Sequence, residues 1–63
     1  MKVIRENRDN LKSVVEMMRS KGFTWFSNTL EDDYDTVVKK VVKPTPKTVY
    51  IAKVGEEYSV WYR

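Results

Sequence analysis

Apolar residues fall along this chain in two distinguishable rhythms, and their alternation predicts most of its elements. Leu11, Val14, Val15 and Met18 recur at i, i+3, i+4 and i+7, the spacing that gathers four side chains on one face of a helix. That helix is expected over about residues 8–21, with Asn7 as N-cap, since its side-chain oxygen can accept from a free first-turn amide. Arg8, Lys12, Glu16 and Arg19 fall on the far face and read as its solvated side. Gly22 suits the left-handed position just past a helix end, with Phe23 placed to touch Met18 as a Schellman ending requires.

Around this helix the pattern shortens to period two. Val3-Ile4 between Lys2 and Arg5 predicts a short first strand. Residues 23–27, Phe-Thr-Trp-Phe-Ser, predict a second, with Phe23 and Trp25 on one face and Phe26 on the other. Core packing is the expected fate of all three aromatics. The strongest strand signal lies at the C-terminus, where Thr48–Val54 and residues 58–63 flank Gly55-Glu56-Glu57. A glycine-first turn at Gly55-Glu56 pairs Val54 with Glu57, Lys53 with Tyr58, Ile51 with Val60, Tyr50 with Trp61 and Val49 with Tyr62. In that register Val49, Ile51, Val60 and Tyr62 share a face suited to covering the helices. Tyr50, Ala52, Ser59 and Trp61 share the other face, left uncovered.

The segment 30–43 supports two readings. Leu30, Tyr34, Val37, Val38 and Val41 form a helical stripe; Thr29 could cap it, with Asp32 at the third helical position. Carboxylates at its start and lysines 39, 40 and 43 near its end complement a helix dipole. Thr36, Val37, Val38, Val41 and Val42 are β-branched and favour an acidic loop followed by a strand at 36–42 instead. Pro44 and Pro46 end either element. The expected architecture is a single α+β domain over 1–63, in the order β-α-β-α-β-β. It closes on an antiparallel hairpin, and its helices cover one sheet face.

Composition narrows the chemistry. The chain has 63 residues beginning with Met1, and is expected to be a complete small gene product with one core near the lower size limit for folding unaided. With 41% hydrophobic and 33% charged residues, its composition is globular. There is no cysteine and no histidine. Disulfide frameworks, the usual zinc sites, thiol nucleophiles and imidazole bases are therefore excluded. Serines 13, 20, 27 and 59 have no recognisable activating partner, and two glycines make no phosphate loop. Neither an enzyme nor a cofactor is expected. No apolar run approaches the roughly 20 residues of a membrane span, and residues 1–8 are too polar for a signal peptide. A soluble, cytoplasmic protein is expected.

The net charge of +3 conceals an acidic island: residues 27–35 hold four carboxylates and no cation, between two basic flanks. Glu31, Asp32, Asp33 and Asp35 miss the alternating spacing and glycine of a calcium loop, so a solvated helix start is the expected reading over a metal site. Two binding functions remain. Lysines 39, 40, 43, 47 and 53 near Tyr50 and Trp61 would suit single-stranded nucleic acid, although the island opposes phosphate. Protein binding is favoured. Eight aromatics exceed what so small a core should bury, and Trp and Tyr left on a sheet face are interface anchors. The expected contact set is Asp32, Asp33, Asp35, Tyr50 and Trp61.

The layout of Val3-Ile4, a helix ending at Gly22, Phe23-Thr24-Trp25-Phe26-Ser27-Asn28 and the strand Thr48-Val49-Tyr50-Ile51-Ala52 resembles short accessory (early) proteins of tailed bacteriophages. The resemblance covers about half of the chain and carries no catalytic signature; residues 30–43 lie outside it. It implies a protein that binds and inhibits or modulates a host enzyme, nuclease or defence component, in the host cytoplasm.

Overall fold

Two strands at the C-terminus form the centre of the molecule, because both of their faces are apolar. In the computed structural model, which describes residues 2–40 and 47–63, the elements are β1 (Lys2–Arg8), α1 (Leu11–Ser20), β2 (Thr24–Leu30), α2 (Tyr34–Lys40), β3 (Thr48–Val54) and β4 (Glu57–Tyr62). The fold is a small α+β domain in the expected element order. β3 and β4 pair antiparallel in the register that the turn at Gly55 dictates, from Val54↔Glu57 to Val49↔Tyr62. Gly55 has φ +64, which the first position of a two-residue hairpin turn demands.

One sheet contains all four strands, in the order β1-β3-β4-β2. β1 runs parallel to β3 and β2 antiparallel to β4, so β1 and β2 are the two edges. The central strands are buried from Val49 to Ala52 and from Tyr58 to Trp61. Unbroken burial of this kind requires a cover on each side.

The helices supply one cover each, and here the structure corrects the expectation that both lie on one face. α1 packs Val14 and Met18 with Phe23, Tyr50, Ala52 and Trp61. α2 packs Val37 on the opposite face, with Val49, Ile51, Tyr58 and Val60. The stripe of α1 thus covers the face that was expected to stay open. Two helices on one face would leave a row of valine, isoleucine and aromatic side chains in water, at about 25 cal/mol for each Å² of apolar surface.

Element boundaries shift for identifiable reasons. β1 extends to Arg8, because Glu6, Asn7 and Arg8 continue the parallel ladder opposite Ala52, Lys53 and Val54. Asn7 is therefore in a strand, and Asn10 caps α1, its Oδ1 accepting from the Ser13 amide at 3.1 Å. The C-terminal end is as expected: the Phe23 amide donates to Met18 O at 2.9 Å and the Gly22 amide to Arg19 O at 3.1 Å, the paired bonds of a Schellman motif.

The segment after β2 is helical at Tyr34–Lys40, and Thr36–Lys40 is not strand. Thr29 and Leu30 belong to β2, where Leu30 pairs with Glu57, so Thr29 does not cap α2. That role falls to Asp33, which accepts from the Thr36 amide at 2.8 Å and the Thr36 hydroxyl at 2.9 Å. The expectations for Val41, Val42, Lys43, Pro44 and Pro46 lie outside the described residues.

A Cβ on Gly22 would meet no heavy atom within 4 Å, so Gly22→Ala tests the φ of +80 without a clash. The expected cost is about 1–2 kcal/mol, read as a lower urea midpoint at unchanged slope.

Candidate functional site

The five residues expected to form a contact surface do not share one environment. Tyr50 and Trp61 are 3% and 2% exposed, because α1 lies over the hairpin face they occupy. Each is a core residue with its polar atom satisfied. The Tyr50 hydroxyl donates to Glu6 Oε1 at 2.7 Å, and the Trp61 Nε1 donates to Ser59 Oγ at 2.8 Å. Burial, then the bond to Glu6 and its negative charge, push the Tyr50 hydroxyl far above the usual tyrosine range. Ser59, buried among apolar neighbours, is explained by its bond to Trp61. Neither aromatic is available to a partner.

The carboxylates are at the surface, but most have internal duties. Asp33 caps α2, and its bond from the Thr36 amide is the leading cause that holds its carboxyl below the ordinary aspartate value. Asp35 pairs with Arg5 at 3.5 Å across to β1. Glu31 pairs with Lys40 and accepts from the Thr29 hydroxyl at 3.4 Å. Among the described residues no cation pairs with Asp32. It lines an open cleft of about 470 Å³ with Leu30, Glu31, Lys53 and Glu56. No three metal-ligating side chains converge among the described residues. No helix there is long and apolar enough to cross a membrane.

The apolar surface lies elsewhere, on the edge strand β2. Trp25 and Leu30 are the exposed large hydrophobics among the described residues, at 52% and 70%. Five residues apart in a regular strand, they would point to opposite faces. The ladder is irregular between Trp25 and Ser27: Trp25 stands opposite Trp61, whereas Ser27 stands opposite Val60. This bulge inserts one residue and reverses the alternation beyond it. Phe26 turns into the α2-side core, edge-on to Tyr62. Trp25, Asn28 and Leu30 then share the side of Trp61, beyond the cover of α1. The Trp25 Nε1 donates to Asn28 Oδ1 at 3.1 Å, which fixes the indole against its own strand.

The backbone of β2 is open as well. Thr48 and Arg63 exchange both of their backbone bonds at 3.0 Å. Alternation along β4 from that pair directs the amides of Val60 and Tyr58 to β2. Ser27 and Thr29 are thus tied to β4, while Asn28 and Leu30 aim their N–H and C=O groups at the free edge. The other edge, β1, carries Lys2, Arg5, Glu6 and Arg8, whereas Thr24–Leu30 has no charge and no proline. Charged residues and prolines are how sheet edges are ordinarily protected. The sequence led to core packing for Trp25 and to a helical stripe for Leu30; both are instead exposed on β2, since neither the edge position nor the bulge is a local signal. The missing charge in residues 24–30 was the available clue.

Compared with family models, curated proteins and solved structures, the chain matches none of them.

Two measurements check these assignments. Trp61→Ala should lower stability by about 3–5 kcal/mol, while Trp25→Ala stays within about 1 kcal/mol; urea unfolding reads both. Asp33→Ala should lower stability at neutral pH. Because the folded-state pKa of Asp33 is depressed, its contribution is present above the ordinary aspartate value. It is lost as pH falls through the lowered one, so the two stability curves should converge in acid.

Proposed function

We propose that this protein works by binding another protein, without catalysis, through the open edge of β2 and the acidic turn that follows it. The reading is carried by one observation: Trp25 and Leu30 are exposed together on an uncharged edge strand. Burying two such side chains contributes about 1.5–3 kcal/mol each relative to leaving them in water. An extended segment of the partner adds beside β2, takes up the free backbone groups of Asn28 and Leu30, and covers both side chains. Strand addition of this type draws affinity from the main chain and specificity from the flanking side chains. Asp32, in the turn after the strand and without an ion-pair partner among the described residues, favours a partner with a basic residue there and raises the encounter rate more than the affinity. Such a contact fits the inhibition or modulation of a host protein that the phage-protein resemblance implies.

Binding of single-stranded nucleic acid has less support. The aromatics it would stack on, Tyr50 and Trp61, are in the core. The aromatic that is exposed, Trp25, stands on the strand that leads into the carboxylates Glu31, Asp32 and Asp33, whose charge opposes phosphate.

A selection of random extended peptides on the immobilised protein tests the proposal. Recovered peptides should bind Trp25→Ala about 10- to 100-fold more weakly, the range of an interface anchor, at unchanged urea midpoint. Equal affinity for Trp25→Ala sinks the assignment to β2. Oligonucleotide binding that falls steeply with salt would transfer the function to nucleic acid.

A further inference from the structure

The shape and charge of the β2 edge specify what kind of strand completes it. At the N-terminal end of β2 stand two cations. Lys21 precedes the strand, and Arg63 lies over the Phe23 ring at 4.6 Å from its centroid and donates to Lys21 O at 2.7 Å. At the C-terminal end stand Asp32, with no ion-pair partner among the described residues, and Glu31, paired with Lys40; Glu56 and Lys53 lie across the cleft, which leaves one negative charge in excess. The strand between is uncharged. A strand with a basic start, a neutral middle and an acidic end is complementary to its own reverse.

We propose that the partner of β2 is a second copy of this chain, paired antiparallel through the same strand. The inference rests on the strand-addition reading above and names the occupant. Antiparallel neighbours in a sheet are related by a two-fold axis perpendicular to it, so both copies keep the same face uppermost. Both α1 helices then lie on one side of a continuous eight-stranded sheet and both α2 helices on the other.

Reversal of direction brings the Trp25 end of each strand to the Leu30 end of its mate. Because the bulge puts Trp25 and Leu30 on one face, each indole meets the other copy's Leu30 in the gap beside α1. One operation covers the exposed large hydrophobics of both copies, engages the free backbone groups of Asn28 and Leu30, and sets Lys21 against the acidic turn at each end. The contact is isologous and closes at two copies. Further growth would have to use β1, whose Lys2, Arg5, Glu6 and Arg8 guard it. A seven-residue strand buries little area, so the dimer is weak and concentration-dependent.

Sedimentation equilibrium of the full chain, from low micromolar to millimolar concentration, reads the state directly. A reversible monomer–dimer equilibrium is expected, and Trp25→Lys should remain monomeric throughout with an unchanged urea midpoint. A charge exchange makes the test independent of the strand itself. Asp32→Lys and Lys21→Glu lie outside β2, and each alone sets like charges together at both ends of the dimer. Each should lower the dimerisation constant about tenfold or more, whereas an equal mixture restores opposite charges at both ends and recovers the dimer. A wild-type chain that stays monomeric to the highest concentration overturns the proposal. So does a dimer that persists in Trp25→Lys, or charge variants that fail to recover on mixing. A monomeric chain that still binds selected peptides through Trp25 removes the second copy as partner and leaves strand addition standing; loss of peptide binding as well removes both.

Discussion

The hairpin of β3 and β4 must be dry on both faces, and the rest of the molecule follows from that requirement. Val49, Tyr50, Ile51 and Ala52, with Tyr58, Val60 and Trp61, offer no polar face to give to water. A single helix could cover one side only. The chain therefore spends α1 and α2 on opposite faces and brings β1 and β2 to the flanks, where they also complete the backbone pairing of the hairpin. Burial of polar atoms in so thin a molecule has to be matched locally. Glu6 reaches from β1 to Tyr50, and Ser59 meets Trp61 from within its own strand. No buried side-chain nitrogen or oxygen among the described residues lacks a partner.

Features that depend on near neighbours were legible before the structure. The hairpin register comes from the glycine turn and the alternation beside it, and every pair from Val49↔Tyr62 to Val54↔Glu57 is as derived. The end of α1 follows from Gly22 and Phe23 in the same way. Features that depend on distant partners were not legible. Asn7 is an able cap, but its neighbours gain more from seven paired positions on β3, and the helix begins three residues later. Leu30 satisfied a helical stripe on paper and Thr29 its cap, but their pairing with Glu57 and Tyr58 keeps them in β2.

The candidate site shows the same division more sharply. Tyr50 and Trp61 were assigned to a surface because the hairpin was given one covered face. The near-continuous apolar runs on both of its strands are the pattern of two-sided burial, and that pattern places them inside. Of the carboxylates, Asp33 is committed to the start of α2, and Asp35 to Arg5. Asp32 alone of the three has neither a capping bond nor an ion pair among the described residues.

What distinguishes β2 is that its exposed side chains contribute little to the structure that displays them. Phe26 packs against the α2-side core, while Trp25 and Leu30 stay out, brought to one face by the bulge. Slipping the alternation by one residue costs a ladder position and leaves Trp25 and Leu30 exposed on one side of the strand. On the strand-addition proposal, the alignment of Trp25, Asn28 and Leu30 on one face beside a free edge serves a second strand that completes the sheet. On that proposal, the bulge between Trp25 and Ser27 is the point at which the requirements of folding and of binding part.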